Sequence, residues 1–495
     1  MDNALEIVGL EGKYQQILLI INMFTGVLPA IYVIQIPYLT KYPNFFVKKL
    51  NSNEPNKVYE MDYFPELCNQ NLYEISKNPK KSVINWSYTF DLYCKRKTYI
   101  TIMTSIVFFG AMLGTLLILP LPDKYGRSIV LKSITLISLI LHFSLLFSFG
   151  PIELIFINFI GGFFSQIYAL AYALFTEFFP KSKNGLFIGI YNGIYSFVGI
   201  VLCFFFMYSN NWRYLYLITF LIHCYYTYIT YKYFIESPRW LYSIGEKEKC
   251  MHALTEIAIC NGNEDEWNIF RANNTHFFEK ENSPISENNK NYSIFKILQF
   301  KSQRNTFIKI TIIMTCSSYN YFGIILNLGK MKGNFYLNSI HAFLGELVAE
   351  LVSGKLADKY GRIKIFLLSC IIGTLGYILY LLSPLYKFFF IFIAMIGYSS
   401  IFNIICIYTP EIYPTKIRNI AFSYSTFISK LSPICVPILT ELIPNLIDFG
   451  FILCGIIAGL IGINLEETLG KTLIDIIPEE EEEIENLKMK ILLNN

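Results

Sequence analysis

The 495-residue chain is 54% apolar, only 16% charged, and carries a formal net charge of +4. Soluble chains average about 25% charged residues, so this composition excludes an ordinary soluble multidomain protein. The small net charge, without a basic aromatic-studded stretch, excludes a nucleic-acid binder, and the eleven cysteines show no CxxC or Cys/His spacing that would suggest a metal site.

The apolar residues collect in runs of about 20, enough for a helix rising ~1.5 Å per residue to cross about 30 Å of hydrocarbon. Polar and acidic residues precede the first run and nothing like a cleavage site follows it, so the first span is expected to stay. Spans are predicted at 14–36, 98–120, 129–149, 152–175, 185–208, 213–234, 305–327, 336–356, 364–383, 387–408, 419–442 and 446–465. Backbone amides in lipid must be satisfied within the segment, which makes each of these a helix. Two polar stretches interrupt the pattern and give the expected organisation: a six-helix bundle over 1–241 with an outer loop at 37–97, a cytosolic linker loop at 242–304, a second bundle at 305–466, and an acidic cytosolic tail at 467–495.

Basic residues choose the orientation. With the N-terminus cytosolic, the short inner loops hold Lys124, Arg127, Lys181, Lys183, Lys359, Arg362, Lys416 and Arg418, and the short outer loops only Arg213, Lys330, Lys332 and Lys387. That asymmetry places both termini inside. The 37–97 loop is then outside, where Asn85-Trp-Ser is a usable glycosylation sequon and Cys68 and Cys94 sit in an oxidising space and can pair. The sequons at Asn273 and Asn291 fall inside and stay bare.

Two motifs recur. Asp123-Lys-Tyr-Gly-Arg127 follows the second span and Asp358-Lys-Tyr-Gly-Arg362 the eighth; Thr176-Glu-Phe-Phe-Pro180 closes the fourth and Pro410-Glu-Ile-Tyr-Pro414 the tenth. Parallel repeats of six helices are the plan of the major facilitator fold, so the predicted fold is all-α, with twelve transmembrane helices in two pseudo-repeats. Gly126 and Gly361 permit a tight turn, Asp123 and Asp358 can accept from a helix N-terminus, and Arg127 and Arg362 can pair with Glu177 or Glu411 on adjacent helices. Such contacts read as a gate that forms on one side of a rocking cycle, with a purely structural turn as the alternative.

Further stretches resemble the organic cation and organic anion transporter family of the major facilitator superfamily. Glu236-Ser-Pro-Arg239-Trp-Leu241 resembles a signature that family shares with sugar porters. Tyr408-Thr-Pro-Glu411-Ile-Tyr-Pro-Thr-Lys-Ile-Arg418-Asn419, Asn211-Trp-Arg-Tyr-Leu215, Tyr321-Phe-Gly-Ile-Ile-Leu-Asn327, Phe90-Asp-Leu-Tyr-Cys94 and Glu467-Thr-Leu-Gly-Lys471 resemble organic ion carriers more particularly. The likeness covers nearly the whole chain and implies gate roles for Glu236, Arg239 and Arg418 as well. The sequence departs from it at Leu119, where the family has Gly (Gly354 is kept), and at Asn184, beside Lys183, where a basic residue is expected. The seventh span lacks the glutamine pair with which sugar porters hold hydroxyls.

Three charges lie mid-span. An ionised side chain at the bilayer centre costs about 2.5–3.5 kcal/mol on insertion scales, so Lys430, Glu346 and Glu350 must face a cavity or a partner. Glu346 and Glu350 share a helix face. The resemblance implies an anionic substrate from Lys430, an acidic position common to both branches at Glu346, and a pull toward cations from Glu350. A Glu346–Lys430 ion pair that only fixes helices is the competing reading. Tyr168, Tyr172, Tyr319 and Tyr321 are expected to add flat faces with hydroxyls, or simply to pack.

The expectation is a carrier of small organic ions, anions slightly favoured, working by alternating access in the plasma membrane, with an organelle membrane as the alternative. A neutral-solute porter and a non-transporting receptor are the rivals. No nucleophile–base set or nucleotide loop appears, so neither enzymatic activity nor a cofactor is expected. A coupling proton or counter-ion stays open.

Overall fold

The computed structural model describes residues 2–9, 12–50, 58–61, 65–69, 72–166, 177–178, 184–209, 211–274, 294–383, 385–413 and 415–470. Helical segments among them fall on the twelve expected spans. The first six are α1 (Lys13–Ile34), α2 (Thr98–Leu117), α3 (Arg127–Leu146), α4 (Pro151–Phe164), α5 (Asn184–Tyr208) and α6 (Trp212–Tyr233). The second six are α7 (Lys301–Asn327), α8 (Phe335–Tyr360), α9 (Arg362–Leu382), α10 (Lys387–Ile412), α11 (Thr415–Ser429, continued by Leu431–Leu442) and α12 (Pro444–Gly462). Five helical stretches, Lys13–Leu39, Thr98–Tyr125, Arg127–Leu146, Arg362–Leu382 and Lys387–Ile412, are long and apolar enough to cross a membrane on length and composition alone. Others carry polar side chains turned inward; α8, with Glu346 buried, is the clearest case. Outward-facing Phe156, Leu221, Leu375 and Leu460 are exposed, as expected of side chains meant for lipid rather than water.

Two compact units emerge, one of residues 1–281 with 325–340, the other of 282–324 with 341–495. Both use glycine to bring helices close. A Cβ on Gly110 of α2 would strike the backbone of Phe159 in α4, and one on Gly345 of α8 would strike that of Phe392 in α10. The same approach at the same place in each half is the repeat expressed in packing.

In the first unit the 37–97 segment, expected from the sequence as a polar outer loop, holds a small antiparallel sheet. β1 (Phe45–Lys49) lies between β2 (Val58–Met61) and β3 (Tyr73–Lys77), with Phe46 opposite Glu60 and Ser76. Phe45, Val47 and Leu67 bury beneath it. A disulfide joins Cys68 to Cys94. The segment expected as a linker loop holds helices Lys247–Asn261 and Glu264–Asn273. Cys250, Ala253, Leu254, Ile257 and Ala258 repeat at helical spacing, and that stripe buries against Trp267 and the N-terminal Ala4, Leu5 and Val8. Asn261 ties the corner: its Oδ1 accepts from the Tyr14 amide at 2.9 Å, and its Nδ2 donates to Val8 O at 2.8 Å.

In the second unit α11 breaks at Lys430. Pro433 has no N–H to give the Ser429 carbonyl four residues back, and the Ser432 hydroxyl donates to that carbonyl instead, at 2.9 Å. The break sets Lys430 at a helix joint rather than in a regular turn.

Candidate functional site

The two glycine turns come first, because the same turn is built twice. Gly126 and Gly361 stand at φ +96° and +110°, which only glycine adopts without strain. A Cβ at either would strike a carboxylate, Glu236 at the first and Glu467 at the second. Each carboxylate caps the helix that begins there. Arg127 N and Ser128 N donate to Glu236 at 2.8 and 3.1 Å, and Arg362 N and Ile363 N donate to Glu467 at 2.8 and 3.1 Å. The anion at the helix N-terminus is therefore this glutamate and not the aspartate expected from the sequence. Asp123 and Asp358 instead pair along their own turns with Arg127 and Arg362, at 2.9 and 2.7 Å. Burial raises the Glu467 proton affinity, but four backbone N–H groups, from Arg362, Leu469, Ile363 and Thr468, outweigh it and hold the carboxyl below the ordinary glutamate range.

Each arginine reaches on to a neighbouring helix. Arg127 forks onto Glu177 through Nε and Nη2 at 2.9 and 2.8 Å and lies over the Trp240 ring. Arg362 reaches Glu411 through Nη2 at 2.9 Å, and Glu411 also accepts from the Thr468 hydroxyl at 2.6 Å. Arg239 donates to the Glu177 carbonyl oxygen at 3.1 Å, and Arg418 to that of Tyr413 at 3.3 Å. All nine expected gate residues thus lie in these two clusters.

The mid-span charges form a second site in the second unit. Glu346 is buried and accepts from the Tyr321 hydroxyl at 2.6 Å. The Tyr321 ring stacks on Phe402 of α10, with centroids 6.0 Å apart. Glu350 is half-buried one turn along. The Lys430 ammonium, half-buried, sits over the Phe322 ring at 5.0 Å, and among the described residues it forms no ion pair, with Glu346 or any other carboxylate. Cys406 of α10 lies within electrostatic reach of both Glu350 and Lys430. Tyr319, two residues before Tyr321, points away and packs on Phe451 and Gly450 of α12. Tyr168 and Tyr172 lie outside the described residues, as do Asn291 and the acidic run Glu479–Glu483.

The family model for "Sugar (and other) transporter" matches residues 44–479. The chain belongs to this transporter family. The organic cation/carnitine transporter 4 of Arabidopsis thaliana is 27% identical over 404 residues, which cover 78% of this chain and 74% of that protein. The solute carrier family 22 member 15-like protein of Xenopus tropicalis is 27% identical over 78% of this chain and 80% of its own. A Drosophila melanogaster organic cation transporter-like protein is 23% identical over 97% of this chain and 92% of its own. Among solved structures, the inward-open xylose transporter XylE from E. coli superposes with a TM-score of 0.62 at 14% identity, over 92% of this chain and 97% of that one. The fold is that of the major facilitator superfamily, with twelve transmembrane helices in an integral, multi-pass protein.

In this transporter residues of the 37–97 segment have structural work. Asn85 is buried, its Oδ1 caps the short helix Trp86–Thr89 by accepting from Tyr88 N, and its Nδ2 donates to Tyr38 O and Lys41 O, both at 2.8 Å. A glycan on that nitrogen would replace one of its two hydrogens, so a glycosylated Asn85 keeps at most one of these bonds. Residues to which the sequence assigned no role join the sites. Glu467 is one, legible as the counterpart of Glu236 in the repeat. Asn403 is another, donating to Ser353 Oγ at 2.9 Å between α10 and α8, and nothing in the sequence distinguished it from other polar residues in apolar spans.

Proposed function

We propose that the transporter carries small organic ions bearing a carboxylate, including zwitterions of the carnitine type, by alternating access across the plasma membrane, with both termini cytosolic. The observation that carries the reading is Lys430, a half-buried ammonium at a helix joint that lies over an aromatic face and, among the described residues, against no carboxylate. A cation–π contact is worth only about 0.5–2 kcal/mol, less than a carboxylate would offer in a low-dielectric site, so a substrate anion is the natural partner. Glu346, Glu350 and the Tyr321 and Phe402 rings supply the opposite character, suited to an organic ammonium group. The names of the relatives, organic cation and carnitine transporters, support this second half. The Cys68–Cys94 disulfide supports an outward-facing 37–97 loop, since disulfides persist on oxidising sides of membranes.

Oocyte uptake of labelled carnitine, tetraethylammonium and benzoate tests the reading. The expected result is that Lys430→Ala loses carnitine and benzoate uptake at unchanged surface level, and that Lys430→Asp shifts preference to tetraethylammonium. The competing structural reading predicts that Glu346→Gln with Lys430→Gln restores full uptake of carboxylate-bearing solutes. That outcome would leave Lys430 a structural residue.

A further inference from the structure

Apart from the gate and the central charges, the first unit buries a cluster that neither uses. His142 of α3 and His223 of α6 are each 1% exposed, and their ring centroids are 4.5 Å apart. Tyr32 of α1 packs edge-on to His142 at 5.0 Å. His142 Nδ1 lies 2.9 Å from the Ser138 carbonyl oxygen, which can only accept, so Nδ1 carries the proton and Nε2 keeps its lone pair. Among the described residues that Nε2 has no hydrogen-bond partner, and neither ring nitrogen of His223 has one. Whichever tautomer His223 adopts, one N–H and one lone pair remain unanswered. Both rings border a cavity of about 20 Å³, also lined by Thr25, Ser165 and Tyr226. That is room for a single water.

The geometry points to a one-proton binding site at His142 and His223, whose occupancy couples the transport cycle to pH. Histidine is the side chain whose unperturbed pKa, about 6.5, lies in the physiological range, and ionisable groups inside membranes are costly unless they serve the mechanism. The proton comes from bulk water, forms an N–H bond at a free ring lone pair, and returns to bulk water when that bond breaks. At this separation two imidazolium charges would repel strongly, so the pair takes one proton and not two. The groups facing the pair are Tyr32 from α1 and Tyr226 from α6. The described part of α4 contributes Gly161, Phe164 and Ser165, and α3 adds Thr135 and Ser138. No Asp, Glu, Lys or Arg lines the cavity among the described residues. Among the described residues a charge here has no counter-ion, and so the packing of α1 on α3 and α6 favours the unprotonated pair. Tyr226 bonds to the hydroxyls of Thr25 at 2.8 Å and Thr135 at 3.3 Å, and all three line the same cavity.

The coupling half rests on the carrier reading above; the site itself does not, and two measurements separate them. In purified protein with His252, His276 and His341 replaced by Gln and the remaining pair labelled with ¹⁵N, imidazole signals are followed from pH 8 to pH 4.5. One proton bound per chain, lost in both His142→Gln and His223→Gln, is the expected result. No titration, or two independent protonations, overturns the site. In proteoliposomes, an acid-outside gradient should drive labelled carnitine accumulation by wild type. Either single variant should lose that drive and keep carnitine exchange at equal pH, which also shows that it is folded. Gradient-driven accumulation undiminished in both variants overturns the coupling. Wild type that moves no carnitine under any condition sinks the coupling together with the proposed substrate class, while the ¹⁵N titration still decides the site.

Discussion

Glu467 shows how one side chain can serve a turn that its own sequence neighbourhood does not announce. Its carboxylate accepts from four backbone amides, two on the entering residues of α9 and two on its own chain, and these hold its pKa low. The sign of the resulting pH dependence follows. The folded carboxyl binds its proton at lower pH than the unfolded one, so its stabilisation is complete above the unfolded value of about 4.3 and is lost as pH falls through the folded value. Thermal denaturation in detergent should therefore show wild type losing stability below about pH 4.3 more steeply than Glu467→Gln. Equal slopes would mean that the cap carries no such linkage. Lys430, by contrast, declared itself in the sequence as a charge in an apolar span. Its depth was legible, but its partner was not, because the Pro433 break that turns it toward Phe322 is a matter of backbone hydrogen bonds and not of hydropathy.

Among elements, the hairpin α2–α3 and its counterpart α8–α9 are assembled from the same parts: a positive-φ glycine, a capping glutamate from a distant segment, and an arginine forked onto the next helix. The twelve spans were legible because lipid imposes one length and one hydrogen-bonding pattern on each of them. The outer sheet was not, since strand pairing at Phe45–Lys49 depends on partners far along the chain. The linker helices were hidden for another reason: their buried stripe is short, and its mates Leu5 and Val8 lie at the opposite end of the sequence. Two predictions belong to this scale. Gly361→Ala should lower folded yield and melting temperature, because the new Cβ meets Glu467 Oε2 at 2.6 Å in a backbone region hostile to side chains. Unchanged expression and melting would show that the turn relaxes freely. Asp358→Asn and Arg362→Ala should slow turnover severalfold and leave substrate affinity within a few-fold, since contacts that differ between global states bias their populations without building the site. Binding and flux, measured separately at matched surface level, decide it; a collapse of affinity would place these residues in the substrate site.

For the whole molecule the open question is which side faces the cell interior, and two independent physical arguments agree. Lys and Arg gather in the short loops on one side of the membrane, and chains retain such loops in the cytosol. On the opposite side the hydropathy order expects the 37–97 loop, whose small sheet is stapled by Cys68–Cys94. A thiol pair in the cytosol would be kept reduced, whereas one outside is oxidised and stays so. Cysteine chemistry can read both sides at once, because Cys94 and the half-buried Cys260 fall in segments assigned to opposite faces. Replacing Cys68 by Ser frees the Cys94 thiol. In intact cells, a membrane-impermeant maleimide should then add one adduct that wild type lacks. A second adduct, removed by Cys260→Ser, should appear only once the plasma membrane is permeabilised. Residual labelling of span cysteines cancels in these differences, since it is common to each variant and its parent. If the Cys260 adduct forms in intact cells and the Cys94 adduct requires permeabilisation, the orientation is inverted, and the basic loops lie outside despite their charge. If neither forms until permeabilisation, the protein resides in an internal membrane and the plasma-membrane assignment fails, while the order of the two sides can still be read by selective permeabilisation of the outer membrane of the cell with digitonin.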